Sequence, residues 1–264
     1  MIINESNIEQ YFIKKENLYL LDCAKCEDEF SFDFALDNLN ILLINIKDNQ
    51  QINLNLLENI NLELSVLAEN PLNTFKITAN LAKNAHILCY FADFIIGKCK
   101  GLVAVNLNEN NATCEWHLAS LASKKDNKEF DVSVYHKASN TIAQMDNYGV
   151  CKDEGKLIFS GVSEIIKHAI KSKTRQNAKI MVFDKLSNGV AKPILKIDEN
   201  DIEASHGAVV GKINDEHLFY LTSRGLTETE AKELITFGYL KPILKGFVLE
   251  EMRNHIEQLI EGRM

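Results

Sequence analysis

The sequence predicts a mainly β body followed by an α-helical C-terminal segment. Three observations predict it: a two-residue alternation of apolar and polar side chains from about residue 40 to 202, asparagine-rich breaks between the alternating runs, and a change to helical spacing after residue 205. The 264 residues, 46% hydrophobic and 25% charged with a net charge of -8, are typical of a soluble globular protein. This length allows one large domain, or one with a small appendage.

The β body is predicted from period-two runs. Between residues 51 and 56, isoleucine and leucine alternate with glutamine and asparagine, and similar runs occupy residues 60–66, 103–107 and 130–134. Such runs are half-buried strands. Of the 27 asparagines, 25 lie in the first 200 residues, where they suit turns because asparagine tolerates a positive φ. Only Asn188-Gly189 has the tight-hairpin signature, which mildly favours a solenoid of short strands over a hairpin meander.

The helical segment carries start and stop signals. Asn214 or Asp215 is predicted to cap a first helix, and Gly225 to end it in the left-handed conformation. Thr227 and Glu230 form a capping box, which predicts a second helix. Pro242 ends or kinks this second helix. A third helix is predicted from apolar residues at helical spacing, namely Leu244, Phe247 or Val248, Met252, Ile256, and Leu259 or Ile260.

The sequence argues against a secreted or membrane-spanning protein. Its first ten residues have neither a basic region nor a long apolar run, so we expect a cytoplasmic protein. The most apolar stretch, residues 86–97, is interrupted by Asp93 and is shorter than the roughly 20 residues of a membrane-spanning helix. The six cysteines are unevenly spaced and are predicted to be reduced, and we interpret the CxxC pair Cys23 and Cys26 as two incidental thiols.

Motifs of the common enzyme classes are missing from the sequence. It has no GxG, HExxH or GxSxG, and its nearest approach to a phosphate loop, residues 149–156, has the wrong glycine spacing. Residues 160–196 hold eight basic and two acidic residues, a local charge of +6, but Phe183 is the only aromatic residue there. We therefore predict a solvated lysine-rich face that does not bind nucleic acid.

One dense segment, residues 203–234, leads from a strand that carries a histidine through two glycines into the capped helices. It resembles the signature of the SufB/SufD family, scaffold subunits of the SUF iron–sulfur cluster assembly machinery. The matching residues are Ser205, His206, Gly207, Ala208, Gly211, Phe219, Tyr220, Leu221, Ser223, Arg224, Gly225 and Leu226. Further upstream, Arg175-Gln176-Asn177, Asp184-Lys185 and Lys192-Pro193 resemble other family segments, and the likeness extends from about residue 130 to the C-terminus.

The resemblance implies a right-handed parallel β-helix, here residues 1–204, followed by a helical segment, residues 205–264, that docks an ABC-type ATPase of the SufC kind. It also implies pairing through the β-helix with a SufB-like chain or a second copy of this chain. A transient iron–sulfur cluster would be shared at that junction, and none would be held tightly by this chain alone. The chain would then be a non-catalytic subunit, with ATP used by its partner. Typical members carry an extra N-terminal helical region, whereas this chain enters its strands almost directly.

The resemblance further points to the SufD type. SufB-type sequences have a cysteine 28 residues before the histidine and a glutamate directly after it, and here these positions are Ala178 and Gly207. The D-type pattern usually has a cysteine two residues before the histidine, where this chain has Ala204, so no thiol acts at that point. A single imidazole completes a site supplied mostly by another chain. His206 is therefore the candidate cluster ligand.

For each of these residues a structural role stays open. His206 would then bond the backbone near the strand-to-helix junction. Ser205, Gly207 and Gly211 are assigned to the motif's structure. The expected partner-binding residues, which alternatively pack the helix onto the β body, are Phe219, Tyr220, Ser223, Arg224, Gly225 and Leu226.

An alternative function is a β-helix enzyme acting on carbohydrates through paired carboxylates. It would use Asp198, Glu199, Asp201 and Glu203, which would need to lie about 5 to 9.5 Å apart on one face. The sequence offers no aromatic platform for a sugar, which disfavours this alternative.

Overall fold

The structure, a computed structural model, describes residues 2–4, 7–15, 17–35 and 37–263. The chain forms a parallel β-solenoid of about seven turns, with helices after its last strand. The strands of the described residues are β1 Ile2–Ile3, β2 Phe12–Lys15, β3 Leu18–Asp22, β4 Glu29–Phe34, β5 Leu39–Ile44, β6 Gln50–Leu56, β7 Asn61–Ala68, β8 Thr74–Leu81, β9 His86–Asp93, β10 Lys98–Leu107, β11 Thr113–Ala122, β12 Asn127–His136, β13 Ile142–Cys151, β14 Lys156–Ile165, β15 Ser172–Val182, β16 Asn188–Ile197 and β17 Ile202–Lys212. The α-helices are α1 Ile8–Tyr11, α2 Asp215–Ser223, α3 Glu228–Leu240 and α4 Glu250–Glu261.

From β3 onward, successive strands alternate between two sheets, so that each strand pairs with the strand two positions along the chain. One sheet has the order β1-β4-β6-β8-β10-β12-β14-β16, and the other has the order β17-β15-β13-β11-β9-β7-β5-β3-β2. Neighbours run parallel except β2 and β3, which are antiparallel. The mainly β prediction and the solenoid are confirmed. The sequence-based boundary between residues 204 and 205 falls inside β17, which continues to Lys212.

Asparagines occupy many corners of the solenoid. Seven of the eleven non-glycine residues recorded with a positive φ are asparagines, which confirms their prediction as turn residues. Their amides also bond from one turn to the next, since Asn84 Nδ2 donates to Asn59 Oδ1 at 2.7 Å and Asn111 Nδ2 to Asn84 Oδ1 at 2.9 Å. These amide ladders satisfy polar groups that the corners leave unpaired.

The described residues form two hydrophobic clusters. The larger fills the solenoid with inward-facing residues of both sheets, including the stacked rings of Phe75 and Phe91, whose centroids lie 5.4 Å apart. The smaller lies on the outer face of the nine-stranded sheet, where Leu42 and Leu67 meet Leu240, Phe247 and other residues of the C-terminal segment. The part of the C-terminal segment from Leu240 to Ile260 therefore packs back onto the body.

The signals of the first two predicted helices are confirmed. The Asn214 side chain accepts from two backbone amides of α2, Gly225 has a φ of +101°, and Thr227 and Glu230 form the reciprocal capping box. Helix α3 ends just before Pro242, as predicted.

The predicted start of the last helix was wrong. Residues Lys241–Gly246 form a 3-10 helix, and α4 begins only at Glu250. Leu244 and Phe247 share the apolar pattern because they pack on the same sheet as α4 does.

The apolar stretch of residues 86–97 begins as strand β9, which ends at Asp93. Both Asp93 and Lys128 are fully buried, and the Lys128 Nζ lies 2.8 Å from the Asp93 Oδ2. None of the helices in the described part of the chain is long and apolar enough to cross a membrane.

Candidate functional site

The site begins at the last turn of the solenoid, where β17 ends the nine-stranded sheet. Its neighbour on one side is β15, and in the described chain no strand pairs with its other edge. Strand β15 is buried at Thr174, Gln176 and Ala178, which face the interior. The residues in register with them on β17 are Ala204, His206 and Ala208. These three also face the interior side, but they are not buried because no further turn covers them.

The edge strand has the features of a surface that pairs with another chain. From residue 204 to 211 it carries no aspartate, glutamate, lysine or arginine, and Val209 and Val210 are 58% and 45% exposed. Open, apolar sheet edges that lack charges associate readily with other chains. Gly211 has no atom within 4 Å of where a Cβ would lie, so packing within this chain does not require glycine there.

The opposite end of the solenoid is closed. Helix α1 places Ile8 over the interior, and both Ile8 and the following Phe12 belong to the main hydrophobic cluster. The edge strand β2 carries Lys14 and Lys15, and lysines on an edge oppose sheet-to-sheet association. Within the described residues, the end that contains His206 therefore combines an uncovered interior with an edge strand, β17, that lacks lysine and acidic residues between residues 204 and 211.

The His206 side chain is exposed at this open end and forms no hydrogen bond or ion pair within the described chain. It lies in the middle of β17, eight residues before the helix cap, and not at the strand-to-helix junction. Ser205 faces the outer side of the sheet, in register with Arg175. Among the described residues, no group of three or more histidine, cysteine or acidic side chains is arranged to hold a metal ion. The described residues therefore do not complete a metal-binding group around His206.

The six cysteines are all buried and free. Burial raises the pKa of Cys99, Cys114 and Cys151 to about 12 and also raises the pKa values of Cys23, Cys26 and Cys89. A thiol must lose its proton to bind a metal or to act as a nucleophile. None of these thiols is available at the open end as a soft ligand.

The interior becomes polar in the turns beneath His206. The Ser163 Oγ accepts from the Thr174 hydroxyl at 2.8 Å and from the Gln176 Nε2 at 2.7 Å. Gln176 was matched in the sequence only as part of a family segment, and its burial was missed. The signal that could have found it is the phase of the alternation, which places Thr174, Gln176 and Ala178 on the same inward face.

The second part of the site is α2, a helix in which no residue is buried. Phe219 is 73% and Tyr220 is 56% exposed, so these aromatic rings do not pack the helix onto the β body. The guanidinium carbon of Arg224 lies 5.2 Å from the centroid of the Tyr220 ring. Exposed aromatic and arginine side chains in one cluster are typical of a protein-binding surface.

The remaining expected partner-binding residues lie beside this cluster. Ser223 bonds locally, donating its hydroxyl to the Tyr220 carbonyl at 2.8 Å, and Gly225 provides the left-handed turn. Leu226 lines a groove of about 420 Å³ between α3 and the end of α4. Both apolar and acidic side chains line this groove, and its other residues are Glu230, Glu233, Leu234, Phe237, Ile260 and Glu261.

Two of the four carboxylates named for the enzyme alternative, Glu199 and Glu203, have other roles. Glu199 accepts from the backbone amides of His168 and Asn200, at 2.9 and 2.8 Å, and these bonds lower its pKa. Glu203 faces outward in an ion pair with Lys173 at 2.7 Å. Corner turns and a surface ion pair account for these residues, so this alternative is not favoured.

Comparison with known proteins decides the family. A family model described as "SUF system FeS cluster assembly, SufBD core domain" matches residues 37–239, well over half of the chain. The chain belongs to the SufBD family. The match covers β5 to α3, and so includes both the open end and the exposed helix α2.

Relatives of this family share about a quarter to a third of their residues with the chain where they align. The iron-sulfur cluster assembly protein SufD of Bacillus subtilis is 31% identical over 137 residues, which are 52% of this chain and 31% of the relative. The SufD of Escherichia coli is 26% identical over 216 residues, 80% of this chain and 51% of the relative. The SufBD family protein Rv1461 of Mycobacterium tuberculosis is 29% identical over 162 residues, 60% of this chain and 19% of the relative. The chain thus spans about half or less of the length of these relatives.

Proposed function

We propose that the chain is a non-catalytic, SufD-like subunit of a cytoplasmic SUF complex that assembles iron–sulfur clusters. It pairs through the open end of its solenoid with a SufB-like chain or a second copy of itself, and it binds a SufC-type ABC ATPase through its C-terminal helices. The observation that carries this proposal is the pair of exposed surfaces at the end of one solenoid, the uncovered turn with His206 and the unburied helix α2.

The ATPase surface is argued from α2. Phe219 and Tyr220 expose large rings that contribute nothing to the core, and Arg224 lies beside the Tyr220 ring. Aromatic and arginine side chains supply much of the binding energy in protein interfaces. A partner that covers this cluster would also reach the groove that begins at Leu226.

This surface is tested by binding to the cognate ATPase. We expect Tyr220→Ala and Arg224→Glu each to raise the Kd at least tenfold, since loss of a central interface residue costs more than about 1.4 kcal/mol. Lys167→Glu reverses one charge at an exposed solenoid corner and is the matched control. If the wild-type chain and the ATPase form no complex, or if both substitutions behave as the control does, α2 is not the docking element.

The pairing surface is tested by placing a charge on the open edge. We expect Val209→Lys to prevent pairing with a SufB-like chain or with itself, because a lysine must be desolvated when the edge is covered. Val248 is 45% exposed on the C-terminal segment, so Val248→Lys is the control. Sedimentation velocity measures the assembly state, and unchanged pairing of the Val209 variant would contradict the proposal.

His206 is proposed to complete a transient cluster site whose other ligands come from the partner. We expect His206→Asn to leave pairing intact and to lower the iron and sulfide content of the assembled complex. His217 lies on α2 and forms no cluster with other metal-ligating residues, so His217→Asn is the control. Equal iron and sulfide contents in the two variants would remove His206 from the site.

A further inference from the structure

The groove between α3 and the end of α4, here called the acidic groove, is lined by two kinds of side chain. Four of them are apolar, including Leu234 and Phe237, and the three charged ones are Glu230, Glu233 and Glu261. Leu234 is 50% exposed, so a large apolar side chain faces water in this groove. A concavity of about 420 Å³ that exposes apolar side chains is typical of a surface that binds another protein.

The charge of the acidic groove is not compensated by the described part of the chain. Among the described residues, no lysine, arginine or histidine lines the groove, and Glu233 and Glu261 form no ion pair. Lys232, the lysine of α3, is directed to Glu228, with its Nζ 2.7 Å from the Glu228 Oε1. Carboxylates beside exposed apolar surface therefore favour a partner that brings positive charge and apolar side chains together.

The backbone of α3 favours a helical occupant for the acidic groove. The residues of α3 that line the groove, from Glu230 to Phe237, span two turns of helix, or about 10 Å. Their backbone groups are bonded within the helix and do not offer partners to an extended segment. An extended occupant would leave its own backbone groups unpaired against Leu234 and Phe237, whereas a helix satisfies them internally. A helix also packs well into the space between two other helices.

The surface changes charge just beyond the acidic groove. A second hollow of about 650 Å³ continues between α3 and the start of α4, and it begins at Gly238, the residue after Phe237. The charged residues that line this second hollow are Lys241, Lys245, Arg253, Glu250 and Glu257. A helix that carried lysines over both hollows would meet these three cations, and like charges in an interface oppose binding. The basic part of the occupant is therefore expected to span only about two turns.

We infer that the acidic groove receives a basic amphipathic helix of the partner that docks on α2. The apolar face of this helix packs against Leu234 and Phe237, and its lysines or arginines lie beside Glu233 and Glu261. The inference rests on the proposed docking of an ATPase at α2, since Leu226 lines the groove and lies in the turn that follows α2. It adds the structural and chemical type of the segment that this partner supplies.

The probe is a fluorescein-labelled peptide of roughly 18 residues, long enough to form a helix, in which leucines form one face and lysines the other. Fluorescence anisotropy measures its Kd for the full chain. We expect Leu234→Asp and Glu233→Lys each to raise this Kd at least tenfold. Neither side chain is buried, so both variants are expected to fold. Glu154→Lys reverses a charge at an exposed solenoid corner and is the matched control, with a Kd within about twofold of the wild-type value.

Two further peptides separate the apolar face from the charge. One has the same composition with its leucines distributed around the helix, and the other has glutamate in place of lysine. We expect each to bind at least tenfold more weakly than the probe. If the distributed peptide binds as tightly, or if Glu154→Lys weakens binding as much as Glu233→Lys does, the probe is held only by the chain's net charge of -8 and the inference is wrong. Thermal unfolding of each variant verifies that it folds.

Competition with the cognate ATPase separates this inference from the proposed function. We expect the ATPase to displace the leucine–lysine peptide from the wild-type chain, and Tyr220→Ala to weaken binding of the ATPase but not of the peptide. If the ATPase binds while the peptide stays bound beside it, the partner supplies no helix to the acidic groove, and the inference fails while the docking at α2 stands. If the ATPase does not bind but the peptide binds and Glu233→Lys weakens it, the docking proposal fails, and the acidic groove accepts the basic helix of a different partner.

Discussion

Gly246 lies against the aromatic ring of Tyr90, so closely that a Cβ on Gly246 would overlap ring atoms. Tyr90 is on β9 of the solenoid, and Gly246 ends the 3-10 helix that precedes α4. The Ser65 hydroxyl also donates to the Gly246 carbonyl, and the Tyr90 ring stacks on His117 with centroids 4.9 Å apart. The C-terminal segment is therefore fixed to the sheet through a backbone that approaches directly, without an intervening side chain.

This contact predicts that Gly246→Ala is destabilising. The added methyl group displaces either the Tyr90 ring or the 3-10 helix, and overpacking of this kind costs about 1 to 3 kcal/mol. Urea unfolding measures the loss. Gly238 has no atom within 4 Å of its Cβ position and lies inside α3, so Gly238→Ala is expected to leave the stability unchanged or to raise it by up to about 1 kcal/mol. Equal free energies of unfolding for the two variants would contradict the contact.

The burial of all six cysteines predicts that the native chain has no reactive thiol. Because all six are buried and burial raises each pKa, we expect Ellman's reagent to label the native chain slowly and to find six thiols after unfolding. Cys26, at 6% exposure, is the residue expected to react first. Rapid labelling of one full equivalent in the native chain would show a thiolate that could serve as a cluster ligand, against the proposed dependence on a partner's ligands.

The burial of His136 predicts that the free energy of unfolding falls below neutral pH. It is fully buried, its Nδ1 lies 2.8 Å from the Thr141 Oγ1, and desolvation lowers its pKa from 6.5 to about 4. Between these values the unfolded chain binds a proton that the native chain does not, so the native state loses stability as the pH falls from 6.5 towards 4. From pH 8 to pH 5 the expected loss from this residue is about 2 kcal/mol.

The pH effect is isolated by comparing the wild-type chain with His136→Gln. The carboxylates titrate in both proteins. Their contribution therefore cancels when the free energy of unfolding of His136→Gln is subtracted from that of the wild-type chain. We expect the difference to shrink by about 2 kcal/mol on going from pH 8 to pH 5. Two stability curves that run parallel over this range would show that His136 keeps an ordinary pKa.

Local sequence patterns predicted the strands and helices. The features that the sequence did not predict depend on contacts between residues far apart in the chain. The alternation around residues 51–56 determines a strand whatever the fold, and Asn214, Thr227 and Pro242 act within a few residues, so the boundaries of α2 and α3 were predicted. The scarcity of Asn-Gly pairs favoured a solenoid only mildly, and the parallel β-helix itself came from the resemblance to a family. The contact between Gly246 and Tyr90 joins residues far apart in the chain, and nothing near Gly246 in the sequence signals it.

The candidate site, too, was predicted from local sequence only in part. The motif located His206 and the α2 residues, but it did not predict whether the aromatic rings of α2 are exposed or buried. The exposure of Phe219 depends on how far α2 extends from the sheet, which is a property of the tertiary structure. Gln176 was recognisable as inward-facing from its phase, yet the hydrogen bonds of its amide go to Ser163 and Ile194, whose positions follow from the stacking of turns.

The buried ion pair between Lys128 and Asp93 predicts a strong dependence of each residue on the other. The Lys128 Nζ donates to the Asp93 Oδ2 and to the Leu121 carbonyl, both at 2.8 Å, and the Ser120 hydroxyl donates to the same carboxylate oxygen at 2.5 Å. We expect Lys128→Met to cost about 3 to 5 kcal/mol, because it leaves a buried carboxylate without its cation.

The double variant Lys128→Met with Asp93→Leu tests what the charge pair contributes to stability. Either the pair stabilises the fold, or each buried charge only prevents the destabilisation that the other would cause alone. A buried pair replaced by apolar residues of similar volume is often neutral or stabilising, whereas removal of one partner is not. We therefore expect the double variant to be more stable than Lys128→Met alone, with a coupling energy above about 2 kcal/mol in a double-mutant cycle measured by urea unfolding. Additive single effects would mean that Lys128 and Asp93 are each held by their other bonds, and that the charge pair itself contributes nothing to the solenoid.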